Sequence, residues 1–122
     1  MKLDLKTQLV KLDGTPLPTD DGKGQLGVRD VLTNTLLGHF EQEQPQPDGA
    51  EKTRRYHLAR EVLRKDVVSI SETDRVMLKK LVSFRYTPLV VGQMFDILEG
   101  IAPEPLRLAD DAPEAAEGTP AP

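Results

Sequence analysis

Residues Ile70 to Leu98 constrain this chain more than any others. Ser71 opens a helical pattern with Asp74 three residues on, a Thr87-Pro88 pair breaks it, and a second helical pattern follows. Serine at such a position accepts from a free N–H of the first turn, and the acid three residues later can reciprocate. Proline is harmless at the first helical position, where an N–H would have no partner. Met77, Leu78, Leu81 and Val82 make the apolar stripe of the first helix. On the second, Val90, Val91, Met94, Phe95, Ile97 and Leu98 fill one wide arc, with Gly92, Gln93, Asp96 and Glu99 opposite and Leu89 among them. Two helices of this kind need an apolar layer to cover them, so the fold must be mainly helical and built around one core.

The segments before this pair supply that layer. Lys2 to Leu12 alternates with Leu3, Leu5 and Leu9 on one side, which predicts a strand. Asp13-Gly14 predicts a turn, Thr15-Pro16-Leu17-Pro18 an edge strand, and Asp20-Asp21-Gly22 a second turn. The sum is an N-terminal β-hairpin. A first helix is expected from Val28 to Gly38, with Val28, Val31, Leu32 and Leu36 on one face. A polar loop, Gln42 to Gly49, leads to Asp48 and Glu51, spaced as a capping box for a second helix running to about Lys65. Tyr56, Leu58, Ala59, Val62 and Leu63 form its expected inner face, with Arg55 on the same side, where it snorkels or pairs with an acid. Val67 to Ile70 is β-branched or apolar enough to run extended. The expected architecture is mainly α (α+β): a hairpin packed on about four short helices over residues 1–100, followed by a disordered Pro/Ala/acidic tail over 101–122.

Charge divides along the same line. The net charge is −4, and residues after Gly100 carry all of it: Glu104, Asp110, Asp111, Glu114 and Glu117 stand against Arg107 alone. There is no cysteine, which excludes disulfides and thiolate metal sites. No signal peptide or membrane span is expected, since the longest apolar run, Leu89 to Val91, is far too short. A cytosolic protein is the expectation.

Few residues offer chemistry. Gly22-Lys23-Gly24-Gln25-Leu26-Gly27 matches G-x-G-x-x-G, but it follows two aspartates rather than a buried strand, so a turn is expected instead of a dinucleotide site. His39 and His57 lie eighteen residues apart on different elements, without metal-ligand spacing. Ser69, Ser71 and Ser83 lack a nucleophile-elbow context. The paired acids, Asp20 with Asp21 and Asp110 with Asp111, sit in a turn and in the tail. No enzyme, no cofactor and no metal is the reading. Two surfaces are candidates for partners instead. Phe84, Tyr86, Leu89 and Phe95 extend the apolar surface around the fourth helix into a protein-binding site. Arg54, Arg60, Arg64 and Lys65 form a basic face on the second helix that could meet nucleic acid. Glu51–Arg55 and Glu61–Lys65 pairs at i,i+4 offset that face, and a neutral domain disfavours it.

Leu12-Asp13-Gly14-Thr15-Pro16-Leu17, Leu26-Gly27-Val28-Arg29-Asp30-Val31-Leu32-Thr33-Asn34-Thr35-Leu36-Leu37, Glu51-Lys52-Thr53-Arg54-Arg55-Tyr56-His57-Leu58-Ala59, Leu78-Lys79-Lys80-Leu81-Val82 and Pro88-Leu89-Val90-Val91-Gly92-Gln93 form a recognisable set. Together they resemble small proteins encoded in tailed bacteriophages and prophages. The resemblance covers about residues 3 to 99 and contains no catalytic signature. It implies a phage or prophage origin and a part in virion assembly or structure, near the tail or head–tail junction. The partners it implies are other phage proteins, met in the host cytoplasm or in the virion. It carries over no functional residues, and the acidic tail departs from it. A small phage regulatory protein that binds nucleic acid is the alternative. A phage-encoded inhibitor using the acidic tail as a nucleic-acid mimic is a third.

Overall fold

A computed structural model describes residues 1–19 and 21–101; the expected disordered tail, beyond Ile101, and Asp20 of the second turn lie outside the described residues. Among the described residues six elements follow one another: β1 (Lys2–Asp4), α1 (Val28–Leu36), α2 (Gly49–Arg64), β2 (Val67–Ser69), α3 (Glu72–Arg85) and α4 (Pro88–Leu98). The expected class, a mainly helical α+β domain with an N-terminal hairpin and four helices, holds.

The alternation of the N-terminal segment survives as burial, with Leu3, Leu5 and Leu9 inside, but the strand itself is short. Asp4 ends it: its carboxylate accepts from the Lys6 N–H at 2.9 Å, folding the chain into a turn. The ladder partner of β1 is β2, antiparallel, with Leu3 opposite Val68. The extended, β-branched segment near Val67 was thus legible, and its pairing across the chain was not. The hairpin forms further on, where Val10 bridges Pro16 around a turn at Asp13-Gly14. Gly14 takes φ 89°, a left-handed conformation that suits glycine.

Residues 7–28 then close on themselves. The Leu9 N–H donates to the Leu26 carbonyl (2.9 Å), Leu26 to Leu17 (2.7 Å) and Leu17 to Leu9 (3.2 Å), a three-cornered ring of backbone bonds. The G-x-G-x-x-G segment is one corner: Pro18 bridges Gln25, and Asp21 accepts from Thr19 Oγ1 and the Lys23 N–H. It forms a hairpin turn that delivers Gly27 to the start of α1, where Asp30 accepts from the Gly27 N–H at 3.0 Å.

Helix α1 lies between α2 and α3, and its Val28, Val31, Leu32 and Leu36 are buried. It stops two residues before Gly38. That glycine is needed for close approach, since a Cβ there would lie 2.9 Å from the Phe40 ring and 3.1 Å from the Asn34 carbonyl. Helix α3 starts as expected, with Ser71 accepting from the Asp74 N–H at 3.1 Å. At α4, Thr87 holds the cap position without a side-chain bond; its carbonyl accepts from Val90 and Val91, and Pro88 follows. Val90, Met94, Ile97 and Leu98 of α4 enter the core with Leu78 and Val82 of α3. Gln93 does more than face solvent. Its side-chain amide accepts from the Val10 N–H (3.0 Å) and donates to the Val10 carbonyl (2.8 Å), pinning α4 to the N-terminal segment. No helix among the described residues is long and apolar enough to cross a membrane.

Candidate functional site

Helix α2 begins at Asp48, whose carboxylate accepts from the Glu51 N–H at 2.9 Å. The expected box stays half closed because Glu51 turns to the arginines: it accepts from Arg54 Nε (3.0 Å) and from Arg55 Nε (3.0 Å). Arg55 is drawn inward, only 6% exposed, and its two terminal nitrogens meet both oxygens of Glu43, itself 8% exposed. The expectation that Arg55 pairs with an acid holds; the loop acid Glu43 is the partner that sequence spacing did not reveal. The Arg55 hydrogen bonds hold the Glu43 carboxyl below the usual glutamate range, against the desolvation that raises it, and the Arg54 bonds do the same for Glu51. Gln46 completes the loop by donating to the carbonyls of Phe40 and Glu43, each at 2.8 Å. Loop 38–47 is therefore ordered by polar groups that satisfy one another.

This inward turn sets the rotation of α2. Its buried face is centred on Arg55, Ala59 and Val62, so Tyr56 and Leu63 fall at the edge of the helix rather than beneath it. Both were expected inside. They are 49% and 56% exposed. Lys52, Tyr56 and Leu63 lie within about 40° of one another around the helix, with Arg60 a similar step further. The Arg60 guanidinium stands 5.8 Å from the centre of the Tyr56 ring, and His57 packs its ring at 5.4 Å from the other aromatic. At the N-terminal end of this stripe a cavity of about 270 Å³ opens between α1 and α2. Leu36, Leu37, Phe40 and Pro47 give it apolar walls, and His39 and Lys52 stand at it. Leu37, 58% exposed, stands with Lys52 at the mouth of this cavity.

The residues singled out around α4 go to separate places. Phe84 pairs its ring with Phe40 at 6.2 Å, and Tyr86 packs on the core, its hydroxyl accepting from Asn34 at 3.3 Å. Phe95 lies under Lys79, whose ammonium is 5.0 Å from the ring centre. Leu89 and Phe95, six residues apart, leave α4 on different sides. All four are partly buried.

The basic face of α2 is divided as well. Arg54 is held by Glu51 and Asp74, and Lys65 by Glu61 at 3.5 Å. Arg60 and Arg64, like Lys52, have no carboxylate within 4 Å among the described residues. His39 stands at the cavity while His57 packs beside Tyr56, outside it, so the structure does not bring the two imidazoles together. The chain matches no protein-family model, no curated protein and no solved structure.

Proposed function

We propose that this chain is a non-enzymatic assembly or structural protein of a tailed phage or prophage, working through protein–protein contacts during tail or head–tail morphogenesis. The sequence resemblance supplies the setting, which is the host cytoplasm and the growing virion. One structural observation supports the mode of action: Tyr56 and Leu63, both about half exposed, share one side of α2, and Leu37, as exposed, lines with Lys52 the cavity at the start of that helix. Single exposed apolar side chains are ordinary on protein surfaces, whereas a tyrosine in contact with an arginine pairs the residue types enriched at interface hot spots. Phe84, Tyr86, Leu89 and Phe95, partly buried and set apart from one another, offer separate points of contact rather than a second continuous surface. The buried charges, Glu43 and Arg55, are bound to each other and organise a loop, which is a structural use of charge.

Affinity capture of the tagged chain from induced lysogens, with and without nuclease and read by mass spectrometry, tests this. Tail or head proteins retained after nuclease, and lost when Tyr56→Ser and Leu63→Ser are combined, are expected. Partners that vanish with nuclease would sink the reading. They would favour the alternative, a regulatory protein touching nucleic acid. With Arg54 and Lys65 engaged, that alternative rests on Arg60 and Arg64. Two phosphate contacts would give a shallow salt dependence, with a slope of about −2 in log–log terms.

A further inference from the structure

We infer that the α2 face receives an acidic segment of a partner protein, with apolar side chains spaced among its carboxylates; this rests on the protein-binding reading above and names the partner's chemistry. Charge complementarity carries the inference. Of the cations on α2, Arg54, Arg55 and Lys65 are neutralised within the chain. Lys52, Arg60 and Arg64 are not matched by any described carboxylate, and the first two flank Tyr56 directly on the helix. The fold thus removes charge from one side of α2 and leaves it beside the apolar stripe.

The same stripe separates the possible occupants. A phosphate backbone would satisfy the cations but gives nothing to Leu63, which would stay half exposed. An acidic, apolar-punctuated segment meets both components at once. Lys52 to Leu63 spans about 16 Å, the length of three turns of a partner helix or about five residues of extended chain. The cavity at its end, about 270 Å³, lies below the usual range for small-molecule sites of roughly 300–1,000 Å³ and suits one inserted apolar side chain. The Arg55 bond to Glu43 neutralises the one acid among the described residues of its wall, which leaves Lys52 as the cation facing an approaching carboxylate.

Selection of random peptides of about twelve residues on the immobilised full-length chain tests this, followed by anisotropy titration of the synthesised winners at physiological salt. The selected peptides should combine Asp or Glu with Leu, Ile or Phe. Their affinity should fall roughly tenfold or more with Arg60→Glu and with Tyr56→Ser, and hold with Val76→Ser, an exposed site on α3. Val76→Ser also serves as the folding and surface control. Neutral or basic winners, an empty selection, or indifference to Arg60→Glu would overturn the inference. So would a duplex DNA that outcompetes the peptides, or a dimer in light scattering that Tyr56→Ser dissolves. Failure here with phage proteins still captured from lysogens would remove the acidic partner class and leave the assembly reading standing.

Discussion

Glu43 and Arg55 show most clearly how a single contact shapes the α2 face. Both ends of the pair are buried; removing Arg55 leaves Glu43 without a counter-ion in a poorly solvated place, whereas removing Glu43 leaves Arg55 its bond to Glu51. Arg55→Ala should cost about 3–5 kcal/mol in urea unfolding, whereas Glu43→Leu combined with Arg55→Met should cost clearly less. The pH dependence follows from the same bond. Because the folded-state pKa of Glu43 is depressed, its stabilisation is fully present above the ordinary glutamate value of about 4.3 and is lost as pH falls through the lower folded value. The urea midpoint should therefore drop as pH is lowered from about 5 to 3, and Glu43→Gln should flatten that dependence. Gly38 is the second sensitive residue. Gly38→Ala forces a methyl against the buried Phe40 ring and should destabilise by about 1–3 kcal/mol, the range for overpacking. In the sequence, Arg55 was legible as a paired residue because it falls on the apolar side of a helix with Glu51 four positions earlier. Glu43 was not, because it comes from a loop whose path no periodicity describes.

At the scale of elements, local signals told the helices well and their neighbours poorly. Ser71, Asp48 and Pro88 placed the starts of α3, α2 and α4, since capping is decided within one turn. The rotation of α2 was misjudged by the width of its edge. Counting Tyr56 and Leu63 as inner residues balanced the apolar face but ignored that a paired arginine can be buried with Ala59 and Val62. The pairing of β1 with β2 was hidden for another reason: residues 2–4 and 67–69 are brought together by the helices between them, and neither strand carries a signal naming its partner. Gln93 was equally hidden, as a polar residue on a polar arc. Gln93→Leu should leave the Val10 N–H and carbonyl without partners and cost about 1–3 kcal/mol, with faster amide exchange at Val10 as the local signature. Tyr56→Ser and Leu63→Ser, by contrast, should change stability by less than about 1 kcal/mol while removing partner binding, because both side chains already lie half in solvent.

Across the whole molecule, α1 ties the arrangement together. Arg29 on α1 donates to the Val62 (3.0 Å) and Lys65 (2.7 Å) carbonyls at the end of α2, and Arg75 on α3 pairs with Glu72 and Glu99 to hold the end of α4. Leu32, fully buried on α1, lies in the cluster these clamps enclose, and Leu32→Ala should cost about 2–5 kcal/mol by thermal or urea melting. The scaffold that results is held by apolar burial within and ion pairs around it, and it presents one apolar, cation-flanked side on α1–α2. The sequence carried enough to expect a protein-binding helical domain and pointed to α4 for the contact. The structure leaves those four residues partly buried and exposes Tyr56 and Leu63 of α2 by about half, which could be seen only once Arg55 had fixed the rotation of that helix. Hydrogen–deuterium exchange of the chain, free and in the complex captured from induced lysogens, tests that assignment most directly. Protection over residues 49–66 and the end of α1 is the predicted result; protection confined to Phe84, Tyr86, Leu89 and Phe95, with α2 unchanged, would contradict it.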